Sequence, residues 1–363
     1  METLRIVQVT HSFPPYYGGL SHVSDMISRN LVKAGHEVEV VTLDVDGSLP
    51  SREEVDGVSI NRFRGYAPSG AYFVPSRSAF RHLQSVEGDV VHAHNIGALL
   101  APACWFAIRN RMGTTAFVMT PHHHTAGSQW HTRLLWEPYW PVARRTVRAA
   151  DSVHCVSNFE SKVVSHDFSV TPVVIPNGVS DDVSRHRWEP PQGTVLTYSG
   201  RLERYKRVDR LIQAAYAMNR RGGQVSVRII GDGPDLGRLA ALAHSLKVNV
   251  ERHPFLERER YLDMLATSSC FVNLSEYEAF SIVVAEALAI GVPVVAALPW
   301  GETFSGFDGV RLVDGDSTAD IVRAVQELAS SGHGAGAIIP SWLEVARRLI
   351  AEAYRPALDK KAK

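Results

Sequence analysis

Cysteine is scarce: Cys104, Cys155 and Cys270 are the only three in 363 residues and lie far apart. That spacing supports neither a disulfide framework nor a CxxC metal or redox site, and it suits a reducing compartment. Excess charge is missing too, since Lys+Arg and Asp+Glu are both 38. Without a basic surplus the sequence-independent attraction to phosphate backbones is absent, so no nucleic-acid partner is expected. The start, METLRIVQVTHSF, has neither the basic segment nor the apolar run of a signal peptide, and a cytoplasmic location is expected. One stretch as long as a membrane span, Val90 to Ile108, lacks Asp, Glu, Lys and Arg, but it contains His92, His94, Asn95 and Pro102. It reads as a buried strand, a loop and an apolar helix.

Against these absences stands a regular alternation. Short β-branched runs (RIVQVT, EVEVVTL, DVVHAH, TAFVMTP, SVHCVS, PVVIPNG) alternate with amphipathic stretches, beginning with SHVSDMISRNLVKAG. This is the mark of βα units building a parallel sheet. A second series follows the polar, proline-bearing stretch Ser180 to Gly193, which reads as an exposed linker: TVLTYSG, VSVRIIG, CFVNLS and PVVAA, with helices between them, including one from Pro234 to Leu246 and one from Ser281 to Ile290. Two α/β domains are therefore expected, over residues 1–180 and 190–339. An amphipathic helix within 340–363, carrying Trp342, Val345, Leu349 and Tyr354, closes the chain.

The chemistry concentrates where strands end. In the segment from Ser275 to Gly291 the part after Ser281 reads as an almost wholly apolar helix, with Glu286 in its middle. A buried carboxylate needs a partner, either a structural cation or a polar ligand such as a ribose diol. Glu278 precedes the same helix, whose first N–H groups, at Phe280, Ser281 and Ile282, suit an anion. Arg201 and Lys206 follow a strand and Gly200, as a diphosphate site would require; a solvated charged loop is the plainer alternative. In the first domain Gly18 and Gly19 lie between the first strand and first helix, either as a tight turn or as a place where a ligand approaches a helix terminus. His122, His123 and His124 follow TAFVM and are expected to point into the cleft, without completing a metal-ligand set. Asp44-Val45-Asp46 spells a DxD, which ordinary loop chemistry explains. Gly231-Asp-Gly-Pro is a weak match to a dinucleotide fingerprint, better read as a strand-to-helix turn with Pro234 at the first helical position.

Taken together, Glu278-x7-Glu286 with the following Ala-Leu-Ala-x-Gly-x-Pro-Val-Val, Gly200-Arg201-Leu202 with Lys206, Ile175-Pro-Asn177-Gly-Val, Gly231-Asp-Gly-Pro, the Gly18-Gly19 loop and Thr120-x-His122 resemble glycosyltransferase family 4. The resemblance implies the GT-B fold, two Rossmann-like domains facing across a central cleft with a last helix crossing back to the first domain. It implies a retaining hexosyltransferase, with no cofactor beyond a nucleotide-sugar co-substrate and no metal. In the family's terms Arg201 and Lys206 hold the donor diphosphate, Glu286 the ribose, Glu278 the transferred sugar, and Gly18, Gly19, Ala279, Phe280, Ser281 and Ile282 surround the donor. His122 touches the sugar, and Asn177 with His122 is assigned to the acceptor. Ala279 and Ser281 stand where the family often has glycine. The region Trp300 to Val313 lacks the usual Gly-Gly-x-x-Glu, and its role is open at this point.

The partners expected are a UDP-linked hexose or N-acetylhexosamine and a small polar acceptor such as a cyclitol or aminocyclitol. Two other readings compete. One is a membrane-surface transferase with a lipid-linked acceptor, docked through Trp130, Trp136 and Trp140 beside Arg133, Arg144, Arg145 and Arg148. Met1 to Ser180 holds 15 Lys+Arg and 15 Asp+Glu, which gives that surface no net basic pull. The other is a non-catalytic nucleotide-sugar-binding subunit, which would require a lost motif residue.

Overall fold

In the computed structural model residues 2–16, 18–67, 72–123, 130–331 and 336–362 are described, with backbone only at 130–135 and 330–331. The chain forms two compact units, Met1–Asn177 together with Pro340–Lys363, and Gly178–Ile339.

The first unit contains strands β1 (Arg5–Val9), β2 (Glu37–Asp44), β3 (Arg52–Val55), β4 (Val58–Tyr66), β5 (Val74–Pro75), β6 (Val90–His94), β7 (Ala116–Thr120), β8 (Ser152–Cys155) and β9 (Val173–Val174). Its helices are α1 (Gly19–Lys33), α2 (Arg77–Ser85), α3 (Leu100–Ile108), α4 (Trp130–Arg148) and α5 (Asn158–Phe168). The sheet order is β3-β4-β2-β1-β6-β7-β8-β9, with β5 on β4; β3 and β5 run antiparallel to β4 and the other pairs are parallel. Every residue of β6 and β7 is buried, as expected of central parallel strands covered on both faces. On α1, Val23, Ile27 and Leu31 recur every four residues and are buried, a core-facing stripe; Gly35, at φ 92°, then ends the helix in the left-handed conformation.

The second unit contains β10 (Thr194–Ser199), β11 (Val225–Ile230), β12 (Val250–His253), β13 (Cys270–Asn273), β14 (Val294–Ala297) and β15 (Val310–Val313). Its helices are α6 (Val208–Asn219), α7 (Leu236–Leu246), α8 (Arg258–Ala266), α9 (Ile282–Ile290) and α10 (Thr318–Ser331). The sheet is parallel throughout, in the order β12-β11-β10-β13-β14-β15. This is the 3-2-1-4-5-6 Rossmann order, which the path β4-β2-β1-β6-β7-β8 repeats in the first unit. In such sheets the order reverses beside the first strand, and the loops at the carboxyl ends there form the usual ligand crevice. The reversals fall between β1 and β6, and between β10 and β13.

Four expectations need revision. The β3–β4 hairpin turns at Asp56-Gly57, both at positive φ (51° and 77°), the backbone that an Asp-Gly type I′ turn supplies. It interrupts the βα alternation. The stretch Ser180 to Gly193 is largely exposed but not a free linker: Val183 is fully buried, Asp182 pairs with Arg258, and the Trp188 indole N–H donates to the Ser268 carbonyl at 2.8 Å. Helix α7 begins at Leu236 rather than Pro234, because Pro234 lies in the turn before it. The closing helix is composite. A capping box between Ser341 and Glu344 starts α11 (Trp342–Arg348), a π-helical stretch follows over Leu349–Tyr354, and α12 (Arg355–Asp359) ends it.

Candidate functional site

In the second unit the loops after β10 and β13 meet. Lys206 Nζ lies 2.6 Å from Glu278 Oε1, with both side chains largely buried. Burial alone would lower the Lys206 pKa, but the Glu278 carboxylate overrides it and holds the ammonium well above its usual range. Glu278 Oε1 is also 3.0 Å from Ser275 Oγ. Ser275 Oγ in turn lies 2.6 Å from Asn273 Oδ1, while Asn273 Nδ2 donates to Ser281 Oγ at 3.1 Å. The loop is therefore pinned from the end of β13 to the start of α9. Ser281 precedes α9 and no side chain caps this helix, so its first N–H groups keep the positive end of the helix dipole without a side-chain acceptor.

The segment after Leu298, of uncertain role in the sequence, braces this loop from behind. The Trp300 indole N–H donates to the Ser275 carbonyl at 2.7 Å, and the Phe304 ring packs 5.2 Å from Phe280. Tyr205 and Tyr277 stack at 4.4 Å with nearly parallel rings, joining the two loops beside Lys206.

Arg201 occupies a different environment. Its side chain is 73% exposed and contacts Glu203 at 2.9 Å, so it is an exposed cation while Lys206 is a buried one. The loop beneath it explains the Gly-Asp-Gly segment. A Cβ on Gly231 would sit 2.0 Å from the Gly200 carbonyl oxygen, and one on Gly233 2.3 Å from that of Leu202. These glycines seat the Arg201 loop and have no need of a dinucleotide to account for them.

Glu286 is almost completely buried, and both its oxygens are engaged. Oε1 accepts from Arg258 Nη1 at 2.6 Å and Oε2 from Tyr261 Oη at 2.8 Å. Arg258 also grips Asp182 through Nε and Nη2, at 2.8 and 3.1 Å. The structural partner foreseen as one option is thus present. Each oxygen retains a second lone pair that a ribose diol could use.

In the first unit the corresponding loops follow β1, β6 and β7. Gly18 caps α1 without a side-chain hydrogen bond, and a Cβ on Gly18 or Gly19 would meet nothing within 4 Å. The described packing therefore gives no steric reason for either glycine. Arg62 Nη2 holds this loop through the Pro14 carbonyl at 2.7 Å, and Tyr16 Oη donates to Asp44 Oδ1 at 2.7 Å. Asp44 also accepts from the N–H groups of Gly47 and Leu49, so the first residue of the DxD organises its own loop.

Asn95 and His122 both adopt positive φ, 62° and 48°. Such backbone is uncommon outside glycine and concentrates at functional loops. The His122 ring lies nearly parallel to that of His94, with centroids 5.6 Å apart and Nε2 3.4 Å from His94 Nδ1. His123 does not join it. Its Nε2 pairs with Asp167 at 2.8 Å and its ring packs parallel to Trp136, so this imidazole belongs to the core; His124 lies outside the described residues. Trp136 and Trp140 are half-buried, packing one side of their rings around His123 and Phe168. The side chains of Trp130 and Arg133 lie outside the described residues.

A residue not foreseen, Glu160, sets the His122 backbone. Fully buried, it accepts from the N–H groups of His123 (2.9 Å) and Val156 (2.7 Å), and from that of His122. Burial raises its pKa to about 7, against the pull of these donors. Asn177 is also buried, and its Oδ1 has no hydrogen-bond partner among the described residues.

The chain carries two Rossmann-type sheets, with a charged, glycine-seated loop pair at the switch point of one, and two family models match it over residues 17–332. The model for Glycosyltransferase Family 4 covers residues 17–183, and that for Glycosyl transferases group 1 covers residues 181–332. The chain belongs to glycosyltransferase family 4. Among relatives of this glycosyltransferase is a GDP-mannose-dependent alpha-mannosyltransferase of Mycobacterium tuberculosis, 28% identical over 81% of this chain and 79% of its own. A GDP-mannose-dependent alpha-(1-6)-phosphatidylinositol dimannoside mannosyltransferase from that species is 25% identical over the same shares. Sucrose-phosphate synthase of Thermosynechococcus elongatus shares the GT-B fold, with a TM-score of 0.73 and 17% identity over 99% of this chain and 94% of that one. Among the described residues, no helix of this transferase is long and apolar enough to cross a membrane.

Proposed function

We propose that this glycosyltransferase moves mannose from GDP-mannose to a hydroxyl of a polyhydroxylated acceptor, retaining the anomeric configuration and using no metal ion. The observation that carries the reading is the buried Lys206–Glu278 pair beside the uncapped start of α9. Lys206, Arg201 and the helix terminus offer buried and exposed positive charge to a departing diphosphate, the task a metal performs elsewhere. Glu278, oriented by Lys206 and Ser275, accepts from sugar hydroxyls, and Glu286 offers its remaining lone pairs to the ribose. As the anomeric carbon–phosphate oxygen bond breaks, the acceptor oxygen bonds to that carbon from the same face, and its proton passes to the leaving phosphate oxygen. His122 contacts the sugar.

The sequence alone suggested a UDP donor. GDP-mannose replaces it because both mycobacterial relatives carry that donor in their names. A thermal-shift comparison of GDP-mannose with UDP-glucose and UDP-N-acetylglucosamine tests the choice, since a ligand at a hundred times its Kd stabilises by about 2.7 kcal/mol. Stabilisation by the UDP sugars alone refutes it. Transfer in excess EDTA and product NMR test the rest: activity lost on chelation and restored by Mg²⁺, or an inverted product, overturns that part.

For the acceptor we favour a small polar molecule, because the loops after β6 and β7 hold the polar Asn95 and His122 in positive-φ backbone. A lipid-linked acceptor is the second reading, favoured by the phosphatidylinositol dimannoside relative. Sedimentation with anionic liposomes separates the two.

A further inference from the structure

The first unit buries a line of polar side chains that the proposed transfer step does not use. From the inside outward, His154 Nε2 lies 2.9 Å from the Ile175 carbonyl oxygen and His154 Nδ1 2.7 Å from Thr120 Oγ1. Thr120 Oγ1 is 2.7 Å from His92 Nε2, and His92 Nδ1 is 2.8 Å from Tyr354 Oη. Gln8 Nε2 reaches Tyr354 Oη at 3.0 Å, Gln8 Oε1 is 2.7 Å from His94 Nε2, and His94 Nδ1 faces His122 Nε2 at 3.4 Å. Gln8, His92, His94, Thr120, His154 and Tyr354 are all at most 1% exposed.

The direction of every bond follows from one end. A carbonyl oxygen can only accept, so His154 carries its proton on Nε2 and leaves Nδ1 to accept from the Thr120 hydroxyl. Thr120 then accepts from His92 Nε2, His92 Nδ1 accepts from Tyr354, and Tyr354 accepts from the Gln8 amide. The Gln8 oxygen thereby faces His94, which must donate through Nε2 and accept at Nδ1. Turning the Gln8 amide over would reverse each link and set a bare His154 nitrogen against a carbonyl. Burial keeps these imidazoles neutral, pressing the pKa of His92 and His94 well down and that of His154 to about 4.

We propose that this chain fixes His122 in the tautomer protonated at Nε2, leaving Nδ1 as the acceptor nitrogen, and that Gln8 and Tyr354 are positioning residues for the sugar-facing histidine. The inference rests on the reading above, in which His122 contacts the sugar. The chain is not a proton shuttle, because it ends on a peptide carbonyl that cannot take up and pass on a proton. Its effect is to commit a ring that would otherwise exchange between two forms, and Tyr354 brings the closing segment of the polypeptide into that commitment.

Long-range ¹H–¹⁵N NMR of protein labelled in its histidines reads the tautomer directly, with the His122→Gln spectrum identifying the His122 signals. At pH 7.5 the wild type should show a protonated Nε2 and an unprotonated Nδ1 at His122. In Tyr354→Phe the Gln8 amide can turn, so the Nδ1-protonated form should appear and kcat should fall about tenfold or more, as a misplaced imidazole proton does elsewhere. KM for the donor should stay within about twofold, since uniform binding is untouched. Thr120→Val, of similar shape, cuts the chain nearer its anchor and should give the same change if the tyrosine variant folds poorly. An unchanged His122 tautomer in both variants, or the opposite tautomer in the wild type, overturns the inference. A shifted tautomer with unchanged kcat supports it and removes His122 from the proposed reaction instead.

Discussion

Replacing Lys206 and replacing Arg201 remove the same formal charge from very different surroundings. Lys206→Met strands the Glu278 carboxylate in a largely buried loop, and urea denaturation should show a loss of about 3–5 kcal/mol. Arg201→Ala removes an exposed side chain, so stability should change by no more than about 0.5 kcal/mol. If Arg201 stabilises the departing diphosphate, kcat should nevertheless fall by roughly 10² to 10³-fold. Equal effects on stability would mean that the buried pair contributes nothing. Glu286→Gln should weaken the donor and also cost about 1–3 kcal/mol, because Arg258 and Tyr261 lose a charged acceptor. A donor KM that rises with stability untouched would return Glu286 to a purely binding role. Glu286 was legible because a carboxylate in an apolar run demands an explanation, and Glu278 because it stands just before that run's helix. Arg258 and Tyr261 were not, since nothing in the order of residues says which distant cation a buried acid will find. His123 misled for a related reason: its neighbour faces the loop, but adjacent side chains diverge, and Asp167 with Trp136 took it inward.

Helix α9 carries a prediction of its own. Ser281→Asp would give its uncapped N-terminus an anionic cap, which favours the helix by about 0.5–1 kcal/mol. The same carboxylate would occupy the field meant for the diphosphate, where like charges cost several kcal/mol, so donor KM should rise by about tenfold or more. Calorimetry and steady-state kinetics should thus move in opposite senses. A variant with ordinary KM would place the diphosphate away from this helix. The helices and central strands were legible from their periodicity, α9 from an apolar run broken only by Glu286. The β3–β4 hairpin was missed although Asp56-Gly57 announces it, because the surrounding βα rhythm was stronger. The split of the closing segment into α, π and α pieces has no signal in a pattern that reads as one amphipathic helix.

For the molecule as a whole, pH should act chiefly on the first unit. His11, His36, His92, His94, His123 and His154 all belong to it and all have pKa values lowered, with burial the largest cause in each. The unfolded chain would protonate them near 6.5, before the native state does. The stability they confer is therefore complete above about pH 6.5 and declines as pH falls toward about 4, where His11 and His154 titrate. Each can contribute a slope of up to about 1.4 kcal/mol per pH unit. Glu160 acts oppositely, holding a proton in the native state between 4.5 and about 7, so its share of stability falls as pH rises through that window. With six imidazoles against one carboxylate the acid side dominates, and hydrogen exchange at pH 5 should show Met1–Asn177 loosening before Gly178–Ile339; the reverse order would refute it. The division of the chain has one more consequence, which concerns time. Gly178–Ile339 is contiguous, but the first unit needs Pro340–Lys363 to complete its core, including Tyr354 against Gln8 and His92. On a ribosome adding about 5–20 residues per second, the part made first must wait for the part made last. The unit begun at the N-terminus is the one finished second.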